Sequence, residues 1–429
     1  MAALLPTQVD QMIDHLFRHQ SGKMVAVLTR IFGTENLDLA EDVVQDSLLE
    51  AINTWTYRGI PNDPSAWLFK VAKNKALNII NREKYKRKYS SGLDHLFYSE
   101  WTAAPALNHL FSEQEILDDQ LGMIFTCCHP SISKDSQVAL ALKTLCGFSI
   151  PEIARAFITT EENINKRLVR ARQKIRDAHI PFEVPSGMEL EKRLLAVAET
   201  TFLLFNEGYS ASKGTALIRY KLCEEAIRLA EITVAHPQIL NKSVMHALLA
   251  LMYLNASRFG ARQDNEGSIV QLDKQDRTKW SIELMAKGFI YLEKATGGNN
   301  ITCYHILAAI SACHCSAPDF EATDWQTILS LYNSLSQLDS SPLVLLNRSV
   351  AVSKVYGAFA ALDELQKIEE NVSLKKYHLF YSTQAEFYIQ LKQYNMAMNC
   401  LEQAMSLSPL KQEKELLQKK MEFCSSQLK

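Results

Sequence analysis

Residues 149–176 constrain this chain more than any other stretch, because two helix starts and a strongly basic helix fall within one short span. Ser149 and Glu152 stand three apart, the spacing at which a Ser side chain caps a helix and a Glu reaches back to the cap. Pro151 falls in the first turn, where a missing N–H costs nothing. Ile150, Ile153, Ala154 and Phe157 then form an apolar stripe at helical spacing. Thr159 and Glu162 repeat the capping pattern and predict a second helix. That helix keeps Ile164, Leu168, Ala171 and Ile175 on one face and Lys166, Arg167, Arg170, Arg172, Lys174 and Arg176 on the others. A capped helix, a tight turn and a basic second helix make a helix-turn-helix, whose second helix can lie in a DNA major groove. The same residues also fit an amphipathic helix with a solvated basic face, and this stretch alone does not separate the two.

With 429 residues the chain is expected to hold two or three domains. A composition 47% hydrophobic and 22% charged is that of an ordinary soluble globular protein. The net charge of -2 does not mark a nucleic-acid binder, but the charge is segregated. Residues 35–50 hold six acidic side chains and no basic one, whereas residues 70–88 hold eight basic side chains and a single acidic one, Glu83. Such segregation points to separate partner surfaces. Nine scattered cysteines suit reduced thiols and a cytoplasmic location. Met1 to Leu16 lacks the basic start of a signal peptide, and no apolar run is long enough to span a membrane.

Strand-like alternation is absent throughout, and the predicted fold class is all-α. Residues 9–31 carry Met12, Ile13, Leu16, Phe17, Val25, Leu28 and Ile31 at helical spacing, broken by Gly33. A second helix over 37–55 sets Leu39, Val43, Leu48, Ile52 and Trp55 against a polar side of Glu41, Asp42, Gln45 and Asp46. Gly59, Pro61, Asn62 and Pro64 make 56–64 a loop. A third helix over 65–88 buries Trp67, Leu68, Val71, Ala72, Leu77 and Ile80 and presents Lys70, Lys73, Asn74, Asn78 and Arg82.

Residues 40–51 (AEDVVQDSLLEA) and 64–82 (PSAWLFKVAKNKALNIINR) resemble region 2 of a bacterial RNA polymerase sigma factor, and residues 150–175 resemble region 4. Only these two regions, in this order, is the pattern of the extracytoplasmic-function (ECF) group. The resemblance implies that Asp42 and Gln45, with Glu41 beside them, dock on the clamp coiled coil of the polymerase β′ subunit. It places Tyr57, Arg58 and Asn62 in the loop that reads the −10 promoter element. It aims Lys70, Lys73, Asn74, Asn78 and Arg82 at the same element, with cations on phosphates and Asn on exposed bases. It directs Asn163, Asn165, Lys166 and Val169 toward −35 bases, and Arg167, Arg170 and Arg172 toward phosphates or the polymerase β flap. Trp55 and Trp67 lie on the apolar stripes and are read as core.

The implied organisation is region 2 over 1–95, a flexible linker over 96–112, region 4 over 113–180, and a C-terminal helical domain over 188–429. Near the chain end Ala385, Tyr388, Ala397, Leu401, Ala404 and Pro409 match positions of a ~34-residue tetratricopeptide (TPR) repeat, with a degenerate copy over 357–368. Such helix pairs stack into a solenoid that binds a protein or peptide. Segments 203–211, 271–280, 323–325 and 346–351, with Cys127-Cys128-His129-Pro130, match the ECF subgroup that carries a TPR-like domain. That domain is expected to regulate the sigma regions, by holding them or by offering a docking surface.

No nucleophile motif, phosphate loop or His-Glu-x-x-His is present, so neither an enzyme nor a cofactor is expected. Cys127 to Pro130 lacks a second ligand pair nearby and is read as a helix end rather than a zinc site. Asp273, Asp276 and Arg277, with Arg262 and Asp264, are read as a polar inter-helix network or a partner contact rather than a catalytic cluster. Two other functions compete: a helix-turn-helix regulator that never joins polymerase, and a TPR adaptor. The acidic helix, aromatic loop and basic helix of 35–88 argue against the regulator, which needs none of them.

Overall fold

The structure, a computed structural model, describes residues 6–86, 112–157, 159–209, 218–264, 266–298, 300–371, 374–408 and 410–428. The expected linker over 96–112 and the repeat proline Pro409 lie outside the described residues, apart from Ser112. The described residues are helical, with one isolated antiparallel bridge between Gln263 and Ile269, and no helix among them is long and apolar enough to cross a membrane. The chain divides into two compact units, Met1–Leu203 with Ala235–Gln238, and Leu204–Val234 with Ile239–Lys429.

The first unit begins with α1 (Pro6–Phe32), α2 (Leu37–Arg58) and α3 (Pro64–Lys86). α1 stops at Gly33, whose φ of 87° suits a residue without Cβ. Met24, Val25, Val27 and Leu28 of α1, Val44, Ala51 and Trp55 of α2, and Leu68, Ala72 and Ala76 of α3 are buried. Trp55 stacks edge-on against Trp67, with ring centroids 5.4 Å apart, so both tryptophans serve packing. Then come α4 (Glu113–Cys127), α5 (Lys134–Thr144), α6 (Ile150–Ala156) and α7 (Glu161–Asp177). Cys127 and Cys128 are buried where α4 ends, and Cys127 Sγ lies 3.2 Å from Thr144 Oγ1. Burial pushes the Cys128 thiol up to about 12, the behaviour of a core residue rather than of a nucleophile.

α8 (Gly187–Tyr209) follows. Its first part belongs to the first unit, which therefore runs past the boundary at 188 expected from the sequence. Two buried polar contacts fix it there. Arg193 donates to the Phe125 carbonyl at 2.5 Å, and Thr200 donates to Gln137 Oε1 at 2.7 Å.

Asp119 in α4 faces Arg30 in α1 at 3.1 Å, and Arg30 also pairs with Glu115. Burial pushes the Asp119 carboxyl up to about 7; Arg30 opposes this, and Glu115 and Asp118 reinforce it. Because the folded value lies above the unfolded one, the stabilisation is complete below the ordinary Asp value and is lost as pH rises through about 7. Thermal melts should therefore show the first unit losing stability from about pH 4 up to about pH 7 and levelling off above it, and Asp119→Asn, which cannot ionise, should flatten that dependence.

The second unit contains the end of α8, then α9 (Tyr220–Ala235) up to Val234, α10 (Ser243–Ala256), α11 (Ile282–Ala295), α12 (Cys303–Ser316), α13 (Trp325–Leu338), α14 (Pro342–Tyr356), α15 (Ala358–Gln366), α16 (His378–Gln390), α17 (Tyr394–Leu407) and α18 (Lys411–Gln427). Successive helices pack as pairs, forming a helical solenoid. Ala385, Ala397, Leu401 and Ala404 are fully buried at the α16–α17 contact, with Tyr388 packed against them. Small residues at these positions let the two backbones approach, which is the packing the repeat pattern predicts.

The 271–280 segment forms two short 3-10 turns, 272–274 and 277–279. Asp276 caps the second turn through Thr278. Arg277 donates to the carbonyls of His314 and Ala317, and its guanidinium lies 4.6 Å from the ring centroid of buried Trp280. Arg262 covers the Tyr209 ring at 3.8 Å and donates to the Tyr209 carbonyl. Arg277 and Arg262 thus tie this region to neighbouring helices, whereas Asp264 and Asp276 accept from amides of their own turns.

Gly208 explains another motif position. A Cβ there would lie 2.7 Å from Cys223 Sγ and 2.9 Å from the Cys223 amide nitrogen. Gly208→Val is expected to cost about 1–3 kcal/mol through overpacking, read as a lowered melting temperature for the full chain.

Candidate functional site

α2 separates its residues by face. Ala40, Val44, Ser47, Ala51 and Trp55 turn inward, whereas Asp42, Gln45, Asp46 and Leu49 are exposed. Ile52, expected on the apolar stripe, is 46% exposed, because it lies one residue and about 100° beyond Ala51. The outer face of α2 is thus acidic with an apolar patch. Glu41 does not share it. It is only 7% exposed and accepts from Arg172 Nη2 of α7 at 2.8 Å.

The helix ends at Gly59, whose φ is 77°. Tyr57 at 89% exposure, Arg58 and Asn62 project into solvent around this turn. Asp63 then starts α3 by accepting from the Ala66 amide at 2.9 Å. Along α3, Lys70, Asn74, Asn78 and Arg82 recur every four residues and all are exposed. Helical geometry gathers them into one basic, amide-bearing ridge. Lys73 is half-buried and lines, with Lys23, Lys70 and Phe69, an open cleft of about 730 Å³ between α1, α3 and α4.

The helix-turn-helix is built as its first capping box predicts. The Ser149 amide donates to Glu152 Oε2 at 2.8 Å, and the Glu152 amide donates to Ser149 Oγ at 3.3 Å. The second cap differs by one residue. Thr160, in extended conformation, accepts from the Asn163 amide at 3.2 Å, while Thr159 Oγ1 is occupied by the Asn163 side-chain amide at 2.8 Å. Ile164, Leu168, Ala171 and Ile175 form the buried face of α7. Asn163, Asn165, Lys166, Val169 and Arg170 are exposed.

Two α7 arginines behave otherwise. Arg167 pairs with Asp135 of α5 at 3.2 Å. Arg172 turns toward α2, pairing with Asp38 at 3.0 Å and with Glu41. Nothing in the sequence marks Asp38 or Asp135 as partners, because both pairings join residues far apart in the chain.

Comparison with known proteins follows the same division. Residues 16–85 match the family Sigma-70 region 2, and residues 123–175 match Sigma-70, region 4. Residues 193–296 match a family of unknown function, DUF6596. An uncharacterized protein of Rhizobium meliloti (strain 1021), R00370, is 37% identical over 353 residues, covering 81% of each chain. The ECF RNA polymerase sigma-E factors of Salmonella typhimurium (strain LT2) and Escherichia coli (strain K12) are 28% and 27% identical over 136 residues, covering 31% of this chain and 70% of theirs. No solved structure matches. The class is therefore a sigma-70-type factor with regions 2 and 4. Within that class, the chain belongs to the extracytoplasmic-function group of sigma factors.

Proposed function

We propose that this sigma factor joins core RNA polymerase and directs initiation at specific promoters, acting by binding and not by catalysis. The observation that carries the reading is the sorting of exposed side chains on region 2: Asp42 and Gln45 share one face of α2, and Lys70, Asn74, Asn78 and Arg82 share one face of α3. An acidic face with apolar neighbours suits a basic, partly apolar protein partner, the polymerase β′ clamp. A ridge of cations and amides suits phosphates and unpaired bases at the −10 element, with Tyr57, Arg58 and Asn62 beside it. Asn163, Asn165, Lys166, Val169 and Arg170 on α7 suit a major groove at the −35 element.

Region 2 is assigned to 1–95 and region 4 to 113–180, joined by a linker over 96–112. The helical unit that follows regulates the factor by binding a protein or peptide. Two experiments test this. Core polymerase and the full chain should co-elute in size exclusion, and separate elution would oppose the reading. Truncation after Leu203, which leaves the packed first part of α8 in place, should alter polymerase binding or its response to signal. An unchanged truncated chain would remove the regulatory role.

A further inference from the structure

The second unit holds two arginines whose charge no carboxylate balances. Arg258, just beyond α10, and Arg277 lie 5.3 and 4.6 Å from the ring centroid of Trp280. Both are half-buried, and neither has a carboxylate within ion-pair distance among the described residues. Asp319 and Glu321 act on Arg277 from farther off, more weakly than Arg258 repels it. Arginines withdrawn from water are ordinarily paired.

Two further polar atoms of the cluster are buried without a partner, the indole Nε1 of Trp280 and Nδ1 of His314 at the end of α12. Burial, then Arg258 and Arg277, push the His314 imidazole down to about 4, so it is neutral near pH 7. The two guanidiniums are thus the charges the cluster presents.

The two arginines are not equivalent. Arg277 is engaged by the carbonyls of His314 and Ala317 and, at 3.4 Å, by Thr323 Oγ1. Arg258 donates only from Nε, to Gln275 Oε1 at 3.3 Å. Its two terminal nitrogens have no partner among the described residues. They make a planar fork that matches the two oxygens of a carboxylate. The Trp280 ring and Gln275 orient that fork before any ligand arrives.

We propose that Arg258 and Arg277 form an oxyanion site in the second unit, and that it takes a carboxylate of an acidic peptide, with Arg258 as the fork and Arg277 as the supporting charge. This rests on the reading that the unit binds a protein or peptide, and names the chemistry of that ligand. A phosphate spreads its oxygens tetrahedrally and calls for donors beyond one planar fork, whereas Arg277 is already engaged.

The test titrates fluorescein-labelled hexaglutamate into the full chain at low salt and follows anisotropy. The parent should bind saturably, and Arg258→Gln should weaken binding about tenfold. Arg258→Lys keeps the charge but lacks the fork, and should not restore affinity. The double variant Lys70→Ala with Arg82→Ala should bind the peptide as the parent does, which excludes the α3 ridge as its place. Circular dichroism monitors folding, and should Arg258→Gln fail to fold, Arg258→Lys carries the test.

Equal binding by the parent and the Arg258 variants, or no saturable binding by the parent, would overturn the proposal. So would a parent that ignores the peptide yet binds inorganic phosphate in calorimetry through Arg258. The truncation after Leu203 reports separately. An unchanged truncated chain would remove the regulatory role and leave the peptide site standing; an altered one, with no peptide bound here, would strike the site and keep the role.

Discussion

Asp42→Arg is expected to abolish polymerase binding without unfolding the protein. Asp42 is exposed on α2, beside Gln45, Asp46 and Leu49. The core of the bundle lies on the opposite face, through Val44, Ala51 and Trp55, so the fold should tolerate the change and circular dichroism should be unaltered. Placing a cation where the partner presents cations costs several kcal/mol by like-charge juxtaposition. A loss of about 3 kcal/mol is more than a hundredfold in affinity. Fluorescence titration against core polymerase would measure it. The contrasting position is Glu41, which is buried against Arg172. Glu41→Arg would bury two cations together and should lower thermal stability as well. A parent-like affinity for Asp42→Arg would mean that the outer face of α2 is not the docking face.

The second large effect is expected on the α3 ridge. Replacing Lys70 and Arg82 together by Ala removes two exposed cations while leaving Leu68, Ala72 and Ala76 in the core. Each phosphate contact contributes nearly one unit to the slope of log affinity against log salt, so the double variant should flatten that slope by about 1.5 to 2. Asn74→Ala should behave differently. It removes a side chain suited to hydrogen-bond a base edge, so about 1–3 kcal/mol of discrimination should disappear, with little change in the salt slope. Promoter binding by the polymerase–factor complex, measured at several salt concentrations on matched and mutated −10 elements, separates the two. Identical behaviour of both variants would mean that α3 meets DNA only through charge.

Much of this architecture was legible in the sequence because it follows from local rules. The 3.6-residue period exposed α1, α2 and α3, and Gly33 and Gly59 marked where the first two end. Ser149 and Glu152 formed the capping box that their spacing requires. The small residues of the α16–α17 pair are buried as the repeat pattern demands. What the sequence hid was long-range. It grouped Glu41 with Asp42 as one acidic face, although adjacent helical residues point about 100° apart, and the partner that buries Glu41 lies 131 residues away. It treated Arg167 and Arg172 as free cations, although Asp135 and Asp38 engage them. Charge runs report composition; only the packing of helices decides which members face solvent. The helix cap shifted from Thr159 to Thr160 for a smaller reason, since adjacent hydroxyls compete for one role and the Asn163 side chain occupies the first.

The measurement that tests the central claim most directly is transcription in vitro, with the purified full chain, bacterial core polymerase and promoters from its own genomic neighbourhood. The account predicts specific transcripts that require the added chain, disappear with Asp42→Arg and weaken with Asn74→Ala. Absence of specific initiation, together with no binding of the chain to core polymerase, would contradict it and favour a helical adaptor that acts apart from polymerase.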